Sequence, residues 1–110
     1  MASDPEVVVR LREWFVERGV TDERRMSGGI AFLDEGRLTA CASSRGGLMV
    51  RCDPALTHEL AAAPGVAASE MRGRHVKGWL DVERSAVAED ADLDRWLSAA
   101  LTYARTLPPK

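Results

Sequence analysis

Apolar residues recur every three or four positions near both ends of the chain, which predicts an amphipathic helix at each end. The first set is Val7, Val8, Leu11, Trp14 and Phe15, and the last set is Leu93, Trp96, Leu97, Ala100, Leu101 and Ala104. Asp4 followed by Pro5 is typical of a helix start, and Gly19 marks the end of this first helix. A cap at Asp90 or Asp92 begins the last helix.

Between these helices the pattern changes to short segments that alternate apolar and polar residues, which is typical of strands. From Gly29 to Cys52, two turns that contain glycine, Glu35-Gly36 and Gly46-Gly47, interrupt the segment. Because such turns join adjacent antiparallel strands, we expect a meander of three strands here.

The second half of the chain repeats both kinds of signal. Asp53-Pro54 predicts the start of a short helix, which ends by Pro64-Gly65. A second hairpin follows, with strands near 66–71 and 76–82. The predicted order is therefore α-β(3)-α-β(2)-α, a two-layer α+β fold in which helices cover one face of an antiparallel sheet.

If both turns of the meander contain two residues, counting outward from them gives the register. Phe32 then faces Thr39, Ile30 faces Cys41, and Cys41 faces Cys52. One predicted face carries Ile30, Phe32, Thr39, Cys41, Leu48, Val50 and Cys52, and the other carries Ala31, Leu33, Leu38, Ala40, Ala42, Met49 and Arg51. The first is the better core face. The second is too apolar for a solvated surface, so we expect it to meet a homodimer partner or to be covered by other segments of the chain.

Composition narrows the class of protein. The 110 residues are enough for one domain, 1–110, with 45% apolar and 29% charged residues, which is globular composition. A formal net charge of -2 gives no general attraction for phosphate backbones, so we expect no direct contact with nucleic acid. No apolar run is long enough to span a bilayer, and the acidic start lacks a signal peptide's pattern. We therefore expect a cytoplasmic protein with no membrane contact, in which the two cysteines are free thiols.

Two segments that contain glycine carry a more specific signal. They are Arg25-Met26-Ser27-Gly28-Gly29-Ile30-Ala31-Phe32 and Gly73-Arg74-His75-Val76-Lys77-Gly78-Trp79. Both resemble motifs of the TfoX N-terminal domain of the TfoX/Sxy family, known from regulators of bacterial competence, and the resemblance covers nearly the whole chain. Relatives often carry Phe where this chain has Ser27, and Pro-Met where it has His75-Val76.

The resemblance implies a two-layer α+β fold similar to that of type III secretion chaperones, in agreement with the predicted order of elements. It implies no reaction, because the domain has no established chemistry. In competence regulators this domain is joined to a C-terminal domain, so the resemblance does not imply a role in competence for these 110 residues.

The motifs also suggest a candidate binding set. It comprises Arg25, Gly28, Gly29, Arg51, Arg74, Lys77 and Trp79. The four cations match cationic positions of the family motifs, and arginine suits phosphate or carboxylate, so one hypothesis is that they form an anion site. The alternative is that they pair with some of the seventeen acidic residues or stay solvated. Gly28-Gly29 is either a phosphate-binding loop or a tight entry into a strand. Trp79 belongs either to the core or to an interface.

The remaining chemistry-bearing residues give no catalytic or metal-binding pattern. His58 and His75 lack a nucleophile at a catalytic spacing, and Cys41 and Cys52 occupy mid-strand positions where thiols are usually inert. The acidic run at 89–94 has the spacing of helix-capping charge. We therefore expect no enzymatic activity, no cofactor and no metal. The sequence favours a regulatory or adaptor domain that acts through protein contacts as a homodimer, and the alternative is a small protein that binds an anionic ligand or nucleotide.

Overall fold

The computed structural model describes residues 3–26 and 28–109, and only the backbone of Met71. Within these residues there are three helices and six strands. The helices are α1 (Pro5–Val16), α2 (Thr57–Leu60) and α3 (Asp90–Ala104), and the strands are β1 (Asp22–Met26), β2 (Gly29–Asp34), β3 (Arg37–Ala42), β4 (Leu48–Arg51), β5 (Val66–Met71) and β6 (Arg74–Val82). Single 3-10 turns precede α2 and α3. The predicted α+β class is confirmed.

Helix starts follow the local sequence. The Asp4 carboxylate accepts the Glu6 N–H at 2.9 Å, which caps α1 directly before Pro5. At α3 the prediction of a cap at Asp90 or Asp92 is wrong, because both residues lie inside the first turn and Glu89 is the N-cap residue. Their negative charges still lie at the positive end of the helix dipole, where they stabilise the helix without a capping bond.

All six strands form one antiparallel sheet in the order β1-β2-β3-β4-β6-β5. The strand that the sequence pattern did not predict is β1. It has four charged residues among five, so it lacks the alternation on which the strand prediction relied. Pairing with β2 forms it, together with two bonds of 2.8 Å from Arg12 of α1 to Glu23.

The predicted register of the meander is wrong in β3. The Glu35-Gly36 turn is as predicted, with Asp34 opposite Arg37, but a β-bulge at Thr39 places Phe32 opposite Ala40. An extra residue reverses every later side chain of a strand, so Ala40 and Ala42 join the core face and Cys41 moves to the other face.

The second predicted turn is also wrong. The loop between β3 and β4 spans 43–47, closed by the Ser43 N–H on the Gly47 carbonyl at 2.9 Å. Cys41 therefore faces Met49 and not Cys52. Each of the two errors moves the side chains that follow it to the opposite face of the sheet. The errors therefore cancel in β4, where Leu48 and Val50 lie on the core face as predicted.

All three helices pack on one face of the sheet and form the main core with it. Phe32, Val50 and Cys52 are buried together in this core, as predicted. The Phe32 ring stacks on Phe15 of α1 with centroids 5.1 Å apart. The opposite face of the sheet holds a separate apolar cluster formed by Ala31, Leu33, Cys41, Leu38 and Met49.

The end of α3 is tied to the β2–β3 turn by an ion network in which Asp34 and Arg37 are buried and Arg105 is exposed. Arg105 and Arg37 each donate to the Asp34 carboxylate, at 3.1 and 3.0 Å, and Arg37 also donates to the Leu107 carbonyl at 2.8 Å. Burial alone would raise the pKa of Asp34, but the hydrogen bonds and charges of Arg105 and Arg37 outweigh it and lower that pKa. This network holds α3 across the strands that carry the core.

Candidate functional site

The sheet face opposite the helices is the candidate site, and we call it the open face. Its central residues are Ala31, Leu33, Leu38, Cys41, Met49, Trp79 and Asp81. The three helices contribute their apolar side chains to the other cluster. Within the described residues, no helix therefore packs on the apolar cluster of the open face.

A cavity of about 350 Å³ runs across the open face. It is lined by Met26, Gly29, Leu38, Cys41, Ala42, Ser43, Ser44, Arg45, Met49, Ser69, Glu70, Val76, Trp79 and Asp81. These residues come from all six strands and the β3–β4 loop, so the sheet curves around the cavity. Two of the lining residues are methionines, whose unbranched side chains adapt to different partners, and Met26 is 48% exposed.

A hydrogen-bonded polar pair, Ser69 and Asp81, lies within this apolar surface. The buried Ser69 hydroxyl donates to the Asp81 carboxylate at 2.8 Å, across the β5–β6 pair. Glu70 lies beside it and pairs with His75 at 3.1 Å. The charged residues that line the cavity are therefore Glu70, Asp81 and the exposed Arg45.

Arg51 and Trp79 lie next to each other, because they are opposite residues on β4 and β6. The guanidinium of Arg51 stands 5.1 Å from the centre of the Trp79 ring and donates to the Leu38 carbonyl at 2.8 Å. This places Trp79, half-buried, on the open face rather than in the helix-covered core. The contacts of Arg51 hold neighbouring strands together.

The other predicted cations lie elsewhere. Glu23 bonds to Arg12 of α1, so Glu23 points to the helix side of β1, and Arg25, two positions further on, points to the same side. Arg25 and Arg51 are therefore on opposite faces of the sheet. Arg74 and Lys77 are exposed near the β5–β6 turn. Among the described residues, none of these four cations lines the cavity, and Arg25 lies on the face opposite to Arg51.

The Gly28-Gly29 pair has a structural reason. Gly28 has a φ of +82°, which favours glycine, and a Cβ at Gly29 would lie 2.4 Å from the Ala42 carbonyl oxygen. Gly28 thus allows a turn, and Gly29 allows β2 and β3 to approach closely. Both roles fit the interpretation of the pair as a tight entry into a strand. Ser27, the departure from the family motif, lies outside the described residues.

Both cysteines are buried, whereas His58 and His75 are exposed. Burial raises the pKa of the Cys41 thiol to about 11, which leaves almost no thiolate at neutral pH. Cys52 is buried on the core face, where its sulfur lies 3.7 Å from the Thr57 hydroxyl. Within residues 3–26 and 28–109, no three His, Cys, Asp or Glu side chains lie close enough to hold a metal ion. None of the helices described is long and apolar enough to cross a membrane.

Sequence reasoning missed several residues of the open face for identifiable reasons. Met26 was not placed because β1 has no strand pattern, and Cys41 was placed on the core face because no turn signal reveals the bulge. Asp81 and Ser69 reach this face through the pairing of β6 with β4 and β5. The β4–β6 pairing joins strands that are distant in sequence, so a local pattern does not predict it.

Comparison with known proteins identifies the family. The chain belongs to the TfoX N-terminal domain family, whose model matches residues 13–104. No curated protein matches the chain. Among solved structures, it is similar to a crystal structure of a structural genomics target from Pseudomonas syringae, with a TM-score of 0.63 and 11% identity, over 88% of this chain and 97% of that one. At this identity the similarity supports the fold alone.

Proposed function

We propose that this domain is a non-enzymatic regulatory or adaptor module that acts as a homodimer and binds a protein partner on the open face. The observation that carries the proposal is the apolar cavity on the sheet face that the helices leave uncovered. An apolar surface with a polar rim is typical of protein interaction sites. Membership in the TfoX N-terminal family agrees with a regulatory role.

The chemistry of the cavity favours a protein side chain over a nucleotide. Its volume of about 350 Å³ is at the lower end of ligand pockets, which run from roughly 300 to 1,000 Å³. Its charged lining residues are Glu70, Asp81 and Arg45, and the two carboxylates outnumber the one cation, so the set repels phosphate. The alternative of an anionic ligand depends on Arg25, Arg51, Arg74 and Lys77 acting together, and none of them lines this cavity. A partner that inserts one or two apolar side chains, with a cation near Asp81, fits better.

Photo-crosslinking in the native cell tests the proposal. A photoreactive amino acid replaces Met49 on the open face, and a control variant carries it at Val9, which is 47% exposed on α1. We expect a discrete crosslinked protein from position 49 that is absent from position 9. The captured protein is then purified, and its direct binding to this domain is measured. Identical products from both positions, or no binding by the purified protein, would contradict the proposal.

A further inference from the structure

The two edges of the sheet are protected to different degrees. At β1, four of the five residues are charged, and such side chains block the addition of another strand. At the other edge, Glu70 is the one charged residue of β5. Ala67 is exposed, and Ala68 and Ser69 also have small side chains. The backbone of β5 is therefore accessible, while that of β1 is guarded.

The hydrogen bonds of β6 show which way the backbone groups of β5 point. The Cys52 N–H donates to the Gly78 carbonyl at 2.9 Å, so Gly78 directs its backbone toward β4. The Glu83 N–H donates to the Gly65 carbonyl at 2.8 Å, so Glu83 directs its backbone toward β5. The backbone N–H and carbonyl groups of successive residues point to opposite sides of a strand. The backbone groups of Leu80 therefore also point toward β4, and those of Asp81 point toward β5.

The residue opposite Leu80 is Ala68, and the residue opposite Asp81 is Ala67. Ala67 therefore bonds inward to β6, whereas the N–H and carbonyl of Ala68 point outward, away from the sheet. Nothing in the described part of the chain lies beyond β5 in the sheet. The outward groups of Ala68 are thus available to a strand from another molecule.

We propose that two copies of this chain pair through β5, antiparallel, about a two-fold axis at Ala68. The Ala68 N–H of each copy donates to the Ala68 carbonyl of the other, and the two sheets join into one. The pairing is self-complementary, as a two-fold interface requires. Glu70, the charged residue of the strand, then faces Val66 rather than the Glu70 of the second copy, so no like charges meet.

This arrangement rests on the proposed function only in taking the domain to act as a homodimer. With the axis perpendicular to the sheet, the open faces of both copies lie on the same side, and neither is covered. A dimer formed instead by two open faces would pack one concave surface against another and leave both cavities unfilled. Edge pairing therefore keeps both open faces free for partners.

The predicted dimer is weak. The β-bulge between Ala68 and Glu70 shortens the regular part of β5, so few backbone bonds form across the axis. An interface this small places the dissociation constant at roughly 10–100 µM. Sedimentation velocity from about 5 µM to 1 mM spans that range, and it should show a monomer–dimer equilibrium for the wild type.

Two variants and a control test the edge. Ala68→Pro removes the outward N–H without removing a bond to β6, because proline is tolerated where an edge strand's N–H faces outward. Ala67→Lys adds an edge charge at an exposed position and keeps every N–H. We expect each to weaken self-association at least tenfold, and Arg25→Ala on β1 to leave it unchanged.

Thermal melts show whether each variant is folded. If Ala68→Pro does not fold, the self-association of Ala67→Lys alone tests the proposed pairing. A wild type that is monomeric at 1 mM would overturn the proposal, as would a folded Ala67→Lys variant that dimerises like the wild type. Crosslinking from Met49 in the Ala68→Pro background separates this proposal from the proposed function. Loss of the dimer with an unchanged partner product is the expected result.

Discussion

Replacing Phe32 with alanine is expected to remove a large share of the stability of the domain. Phe32 is 1% exposed, and its ring stacks on Phe15 with centroids 5.1 Å apart and planes 10° apart. Truncating a buried phenylalanine costs about 3–5 kcal/mol, depending on how far the surroundings collapse. The neighbours of Phe32 across the strands are Ala40 and the edge residue Glu23, and neither can fill the space. The cost should therefore lie in the upper half of that range, against a total stability of about 5–15 kcal/mol.

Equilibrium unfolding in urea, followed by tryptophan fluorescence and circular dichroism, measures this difference. Phe32→Leu is the matched variant, because it retains an apolar side chain and should cost clearly less. Val16→Ala is the surface control, since Val16 is 52% exposed, and it should change the free energy of unfolding by less than about 1 kcal/mol. A Phe32→Ala variant that loses less than about 1 kcal/mol would refute the placement of Phe32 in the core.

Three further predictions follow from particular contacts. Cys41 and Cys52 should stay reduced under mild oxidants while the protein is folded, because they lie on opposite faces of the sheet; a disulfide found by mass spectrometry in the native protein would contradict this. The pKa of Asp34 is lowered in the folded state, so its pairing with Arg105 stabilises the protein above about pH 4, and that stability is lost as the pH falls through the folded value. Asp34→Asn should therefore lower stability at pH 7 and flatten the acid limb of the stability profile. Gly29→Ala should destabilise strongly in thermal melts, because its Cβ would meet a backbone oxygen at 2.4 Å.

The sequence predicted the elements whose signals are local. Asp4 and Asp53 both cap the segments that begin at the following prolines, as expected. The β5–β6 hairpin turns near Gly73, as predicted. The α+β class followed from the order of these elements. In each case neighbours in sequence supply the contacts that fix the structure.

The features that the sequence did not predict depend on contacts between distant segments. No residue pattern in the sequence marks the bulge at Thr39. In the structure Thr39 is fully buried, and its hydroxyl donates to the Arg37 carbonyl at 3.1 Å. β1 forms because β2 and α1 provide partners for a charged segment. Trp79 was a candidate, and the structure puts it on the open face. Arg25 and Arg51 both match cationic positions of the family motifs, but such a match does not show which face of a sheet a side chain takes.

The affinity of the captured partner for open-face variants tests the central claim most directly. Isothermal titration calorimetry compares the wild type with Met49→Asp and with the matched surface variant Val9→Asp. A charge buried without a partner in an apolar contact costs at least about 1.4 kcal/mol, which is tenfold in affinity. Binding weakened tenfold or more by Met49→Asp, and unchanged by Val9→Asp, is the predicted result. Equal affinities for all three proteins would contradict the assignment of the open face as the contact surface.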